Sequence, residues 1–258
     1  MTYPIEYIEP AAARQLDGLR LALTAGVPAP YSMSARAILE YHQVPYTAVR
    51  QVGAGSNETL LEWTRHRNAP VAVYNDEAPR TGWLEILHLA ERLGSSPSLF
   101  PQDNAMRREM VGWIDQLIGE NGWVWNMRLL MLGFGGPERA AKEAARNPMY
   151  ADYGYSADSH AQAIQVALAQ LREFSAWSES LETGPAGYFF GDQLCALDIY
   201  WVYFSQLLQT LPLEVCPIPD MLRTAYDSGG QALGEGFDEL LARRNWMVAQ
   251  YPALPFSS

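Results

Sequence analysis

The stretch VPAPYSMSARAIL, residues 27 to 39, gathers three hydroxyls, Tyr31, Ser32 and Ser34, between a Pro-bracketed turn and a helical pattern. The first turn of a helix leaves backbone N–H groups without intrahelical partners and carries the positive end of the helix dipole, so it favours an anion. Hydroxyls at such a place also serve as ordinary caps, and both roles stay open for Ser32 and Ser34. In PRTGWLEIL, Thr81 precedes another helical pattern and reads as its N-cap. In NAPVAVY, Pro70 stands directly before a short apolar run. An X–Pro bond is trans by general preference; a cis bond there exposes the backbone of Ala69 to a ligand.

Other reactive side chains offer less. His42 and His88 lie within helical patterns, His66 in a basic RHR run, and His160 near a helix start. None has the spacing of a metal site, so no metal is expected. Cys195 and Cys216 are too few and too far apart for a disulfide framework or a CxxC site, and read as reduced thiols. With 29 acidic against 18 basic residues the net charge is −11, which argues against nucleic-acid or anionic-membrane partners. No basic segment followed by an apolar one opens the sequence, and no apolar run approaches the roughly 20 residues that cross a bilayer. The expectation is a soluble cytoplasmic protein.

The elements that must position these residues follow from periodicity. LRLAL (19–23) reads as a strand, SARAILEYHQV as a helix with Ala35, Ile38, Leu39 and His42 on one face, and PYTAVRQV (45–52) as a second strand. LLEWTRHRN is a connecting helical turn, APVAVYNDEAPR a short strand with a turn, and TGWLEILHLAERL a helix. This order suggests a small α/β layer over about the first 95 residues. Residues 1–17 look like a loose arm, 18–94 form the α/β domain, 95–105 are a linker by composition, and 106–258 form a helical domain. In that last part Met106 to Ile118 is strongly amphipathic, Ile164 to Leu181 carries a second stripe, and FDELLARRNWMVAQY is a closing helix. LDIYWVYFSQLLQTL (197–211), apolar on most sides, is the expected buried central helix. Ahead of it, in GDQLCALDIYW, Cys195 stands at the N-cap, Asp198 reaches back to the cap N–H, and Leu194 and Ile199 occupy staple positions.

Three segments, PYSMSARAILEYHQVPYTAV, APVAVYNDEAPRTGWLEILHLAERL and FFGDQLCALDIYW, occur in an order and spacing that resemble the glutathione transferase superfamily over roughly residues 18–250. The resemblance implies an α/β thioredoxin-like N-terminal domain followed by an all-α helical-bundle C-terminal domain, usually as a homodimer. It implies glutathione as cosubstrate and a small apolar electrophile as second substrate. Counting back from ARAILEYHQVPY puts Ala29 where many relatives have a Ser or Cys directed at the glutathione sulfur. The alanine speaks against cysteine-based reductase chemistry and leaves Ser32 or Ser34 as donors to the thiolate, with Tyr31 nearby. Ala69 and Pro70 match the cis-proline element that pairs with an extended peptide. The acid–serine pair expected for the γ-glutamyl end maps to Arg80–Thr81 or Gly82–Trp83, depending on register, with the acid missing in both. The second-substrate pocket draws on Trp113, Trp123, Trp125, Met127, Tyr153 and Tyr155, which at helical spacing also read as core. The leading expectation is an enzyme that stabilises the glutathione thiolate and conjugates it to an electrophile. The alternatives are a non-catalytic binding or interaction protein, and a narrow-substrate isomerase or lyase.

Overall fold

The computed structural model describes residues 5–251 and residue 256. These fall into two compact units, one of residues 5–98, 212–218 and 256, the other of residues 99–211 and 219–251.

The first unit is built on strands β1 (Leu19–Thr24), β2 (Thr47–Gln51) and β3 (Val71–Tyr74). Their order is β2-β1-β3, with β1 parallel to β2 and antiparallel to β3. The parallel pair requires a crossover, which helix α2 (Pro30–Tyr41) supplies. Helix α2 starts at Pro30, earlier than the SARAIL pattern indicates, because proline suits a first helical position that needs no N–H. Helix α4 (Trp83–Leu93) packs on α2, and α3 (Glu58–Thr64) packs on α1 (Pro10–Ala13). All six residues of β1 are buried, as expected for a central strand covered on both faces. Ala22 joins Ala13, Val49, Leu60, Val71 and Val73 in an apolar cluster, with Ile8 and Trp63 packed at its margin. Arg20 is tolerated inside because its guanidinium donates to the carbonyls of Gly18 (3.1 Å) and Asn75 (2.7 Å) and lies over the Trp63 ring.

The loose arm expected at residues 1–17 is a correction for its later part; residues 1–4 lie outside the described residues. Ile8 bridges Val49 in parallel, donating to Ala48 O (3.0 Å) and accepting from Arg50 N (2.9 Å). Glu9 pairs with Arg50, whose guanidinium lies over the Tyr7 ring. The next turn, α1, carries Ala13 fully buried into the cluster. The apolar pair Ile8 and Ala13, spaced across one helical turn, fastens a segment whose polar and proline content hides it from a periodicity reading.

The second unit consists of α5 (Asn104–Ile118), α6 (Trp123–Gly133), α7 (Pro137–Ala144), α8 (Met149–Asp152), α9 (Ala157–Glu179), α10 (Ala196–Phe204), α11 (Asp220–Leu233) and α12 (Asp238–Gln250), with no strand among its described residues. Helix α10 is buried at every position. It is shorter than the apolar run 197–211, since residues 205–207 tighten into a 3-10 turn. Helix α11 carries Gly230, a poor helix former, because it crosses that turn closely: a Cβ there would stand 1.8 Å from Leu208 O.

The cap at the start of α10 is built as the sequence indicates. Asp198 Oδ2 accepts the Cys195 N–H (2.8 Å) and Oδ1 accepts the Phe189 N–H (3.0 Å). Leu194 and Ile199 are both buried. Burial pushes the Asp198 carboxyl up to about 6, against the two N–H groups and the nearby Arg243 guanidinium, which pull it down. Arg243, itself fully buried, donates to Gly187 O (2.6 Å) and lies over the Phe189 ring at 4.8 Å.

Two outcomes follow. The folded value of Asp198 lies above its ordinary 3.8, so the folded state binds the proton more tightly. Its stabilising contribution is complete below that ordinary value and is lost as pH rises through about 6. Urea unfolding should therefore show stability from this group rising as pH falls from 7 to 5, and Asp198→Asn should abolish that slope and lower stability by about 2 kcal/mol at pH 7. Ala13→Glu, by forcing a carboxylate into the apolar cluster, should lower unfolding free energy by about 3 kcal/mol and speed hydrogen exchange at the Arg50 amide, whereas Leu16→Glu on the exposed surface stays within about 0.5 kcal/mol.

Candidate functional site

In a sheet of this kind the ligand-accepting edge lies at the carboxyl ends of the parallel strands. At that edge β1 ends in Thr24 and β2 in Gln51, paired with each other in register. Strand β3 runs the opposite way, and its pairing of Val71 with Ala22 brings Ala69 and Pro70 to the same edge. The Ala69–Pro70 bond is cis. Beyond β3 the chain turns back, Arg80 bridges Ala72 through two 2.9 Å backbone bonds, and Thr81 and Gly82 return to this edge as well. Three segments singled out in the sequence thus converge within the first unit: Ala29–Pro30, Ala69–Pro70 and Thr81–Gly82.

Ala29 is the N-cap of α2, in extended conformation, and presents only a methyl group. Its own N–H donates to Val27 O, and its carbonyl accepts the Met33 N–H. Pro30 has no N–H, so the first-turn amides outside the helical ladder are those of Tyr31 and Ser32. The two serine hydroxyls are turned into the fold. Ser32, fully buried, accepts the Thr24 N–H (3.1 Å) and donates to Thr24 Oγ1 (3.4 Å). Ser34 Oγ donates to Tyr31 O at 3.1 Å. Tyr31 is half-buried.

At α4 the N-cap is Gly82, not Thr81, which stands exposed one residue earlier; Trp83 opens the helix and is half-buried. Glu85 reaches back so that one oxygen, Oε2, accepts the N–H groups of Gly82 (3.0 Å) and Thr81 (3.2 Å). The positive end of this helix is therefore occupied by the chain's own carboxylate. Arg80 is engaged too: it donates to Glu77, which also accepts from Arg92. The Arg92 and Arg80 guanidiniums hold the Glu77 carboxyl below its usual range.

The aromatic residues expected at a second-substrate pocket all belong to the second unit and separate into two groups. Trp113 lies 4.8 Å from Trp177 and 5.5 Å from Phe174, while Trp123, fully buried, lies 5.9 Å from Trp201. Met127 is also fully buried. Trp125 and Tyr153, 4.8 Å apart, remain half-exposed, as does Tyr155 beside Tyr150 and His160. Cys195 and Cys216 are buried and are not disulfide-bonded, and burial pushes the Cys195 thiol well up. Among the described residues no three His, Cys, Asp or Glu side chains gather as for a metal ion, and no helix is long and apolar enough to cross a membrane.

The edge thus brings together the start of α2, the backbone at Ala69 and the start of α4. The periodicity reading misses Thr24, Gln51 and Glu85. Of these only Glu85 carries a signal, three residues after Gly82 in capping-box spacing.

No protein-family model and no curated protein matches the chain. Solved structures do. A Tau-class glutathione S-transferase from mango, Mangifera indica, is 19% identical over 92% of this chain and 93% of its own, with a TM-score of 0.59. A glutathione transferase family member from Pseudomonas fluorescens Pf-5, solved with two glutathione bound, is 15% identical over 95% and 94%, with a TM-score of 0.59. A glutathione S-transferase from Methylobacillus flagellatus KT, solved with GSH bound, is 14% identical over 90% and 95%, with a TM-score of 0.60. These likenesses span nearly the whole of each chain and agree with the small mixed sheet followed by helices: the protein has the glutathione S-transferase fold.

Proposed function

We propose that the chain binds glutathione at the sheet edge of its first unit, keeps the thiol ionised, and lets it attack a small apolar electrophile. The observation that carries this reading is the convergence of the α2 start, the Ala69 backbone and the α4 start at one edge. A thiol titrates near 8.5, and first-turn amides with a helix dipole lower that value. The Tyr31 and Ser32 amides of α2 supply that environment without a side-chain helper. An extended tripeptide pairs with the Ala69 backbone as an added strand. Its α-carboxylate competes with Glu85 for the Thr81 and Gly82 amides, beside Trp83. The sulfur then forms the new carbon–sulfur bond while the leaving group departs with the bonding pair, and the thiol proton passes to solvent. The half-exposed Trp125, Tyr153 and Tyr155 are the aromatic surface suited to an apolar substrate. A cytoplasmic homodimer completes the reading.

A second reading has its own observation. Ala29 has no donor, and the hydroxyls of Ser32 and Ser34 are already engaged, so the same fold can serve ligand carriage or association without turnover.

Calorimetry at neutral pH should detect saturable uptake of reduced glutathione, and its absence would remove the first reading. Turnover of a chloro-nitro-aromatic with glutathione, followed by absorbance, then separates catalysis from carriage. Glu85→Ala should tighten glutathione by about tenfold, the equivalent of one charge-assisted hydrogen bond restored to the ligand. Equal affinity in the variant would place the ligand carboxylate elsewhere.

A further inference from the structure

A cavity of about 250 Å³ opens in the second unit, between the last two turns of α9 and the turn 234–237 that joins α11 to α12. Both of those helices pack on α9. Arg172, Ser175 and Glu179 recur at the three- and four-residue spacing of one helix face and form one wall. Glu235, Gly236 and Phe237 form the other. Gly234 and Gly236, at φ +82° and +106°, take the backbone conformation that this turn needs and other residues rarely adopt. Phe237, itself buried, is the apolar part of the lining.

The charges of this lining do not satisfy one another. Among the described residues, Arg172 and Glu235 have no hydrogen-bond or ion-pair partner, although they border the same small space. Glu179 accepts the hydroxyl of the buried Ser175 at 2.9 Å, a bond that holds the carboxylate without neutralising it. Glu179 is also the last residue of α9, and Glu235 comes two residues after the end of α11; neither helix carries a basic residue in its last turn. Both carboxylates therefore add to the negative ends of helix dipoles, where a cation is favoured. Arg172 is rooted seven residues before Glu179, about 10 Å of helix rise, at the other end of the wall.

We infer that this cavity binds a free amino acid with a cationic side chain, of the size of lysine or arginine. Its two cationic groups neutralise Glu179 and Glu235, its carboxylate meets the Arg172 guanidinium, and its methylene stem lies on Phe237. Two carboxylates and one guanidinium give the lining a net charge of −1, which a ligand of this class cancels. An anion is refused by the two carboxylates, and a diamine leaves Arg172 without a counter-charge. The volume is below the roughly 300–1,000 Å³ of sites for drug-sized ligands and suits one small metabolite. Every part of the site belongs to the second unit, so its occupancy is independent of the function proposed above.

Calorimetry of the full chain should show saturable uptake of L-arginine or L-lysine. Argininamide, which lacks the carboxylate, and norleucine, which lacks the side-chain cation, should bind about tenfold more weakly, the worth of one charge-assisted contact. Arg172→Gln should weaken arginine about tenfold and leave argininamide unchanged, and Glu179→Gln and Glu235→Gln should each weaken arginine about tenfold. All three side chains are exposed, so these variants keep the fold. Glu62→Gln, which removes an exposed carboxylate on α3, should bind as the parent chain does. No saturation by either amino acid overturns the site. Saturation unchanged by all three variants puts the ligand elsewhere and overturns it as well. Argininamide bound as tightly as arginine overturns the amino-acid assignment, since the cavity would then take cations alone.

Discussion

Strand β1 is buried from end to end, so the polar groups at its last residue have to be satisfied from within the fold. That constraint organises the first unit. The Thr24 N–H takes the Ser32 hydroxyl, and the Thr24 hydroxyl takes Gln51. The Ser32 hydroxyl, which looks poised for chemistry in the sequence, is spent on closing a central strand, and that of Ser34 is turned onto the Tyr31 carbonyl. An unmet hydrogen bond at a fully buried site costs about 1–3 kcal/mol, more than a poorly placed donor at an open helix start returns. On the function proposed above, a ligand would meet backbone at the start of α2 and at Ala69, and the alanine at position 29 is compatible with that.

The second unit meets the same problem with a charge. Helix α10 is apolar on every side and cannot begin in water, so its start is sealed by Asp198, with Arg243 near enough to temper the carboxylate. Both units thus place one saturated polar side chain where a buried element begins or ends. The amide of Gln51 and the carboxylate of Asp198 differ in what they answer to. The amide is insensitive to pH, whereas the carboxylate exchanges a proton within the physiological margin.

Much of this was legible in the sequence. Period-2 and period-3.6 patterns locate the three strands and helices α2, α4, α5 and α12 to within about four residues, but they miss the first two turns of α9 and run seven residues past the end of α10. The Asp198 cap is readable because one of its partners, the Cys195 N–H, is only three residues away; the Phe189 N–H, nine residues away, gives no such signal. The positions around Ala29, Ala69 and Thr81 were readable as helix and strand starts. Less visible were elements whose reason is tertiary. Helix α11 carries a glycine, Gly230, that only the close crossing at Leu208 explains, and α1 is one turn held by a single buried alanine. Gln51 gave no signal, since its partners lie 16 and 27 residues away. Glu85 had the right spacing, but its occupation of the Thr81 and Gly82 amides depends on the turn that Arg80 makes with Ala72.

The short parallel bridge between Ile8 and Val49 has a wider consequence. Strand β2 is an outer strand, and an outer strand presents a row of unsatisfied amides and carbonyls to any extended chain that drifts past. By laying its own backbone against the middle of that row and following it with a proline and a helical turn, the polypeptide leaves no run of free groups long enough to template a foreign strand. The segment before β1 is in this sense a guard against fibre-like stacking, and the order of the sheet ends where the protein itself chooses to end it.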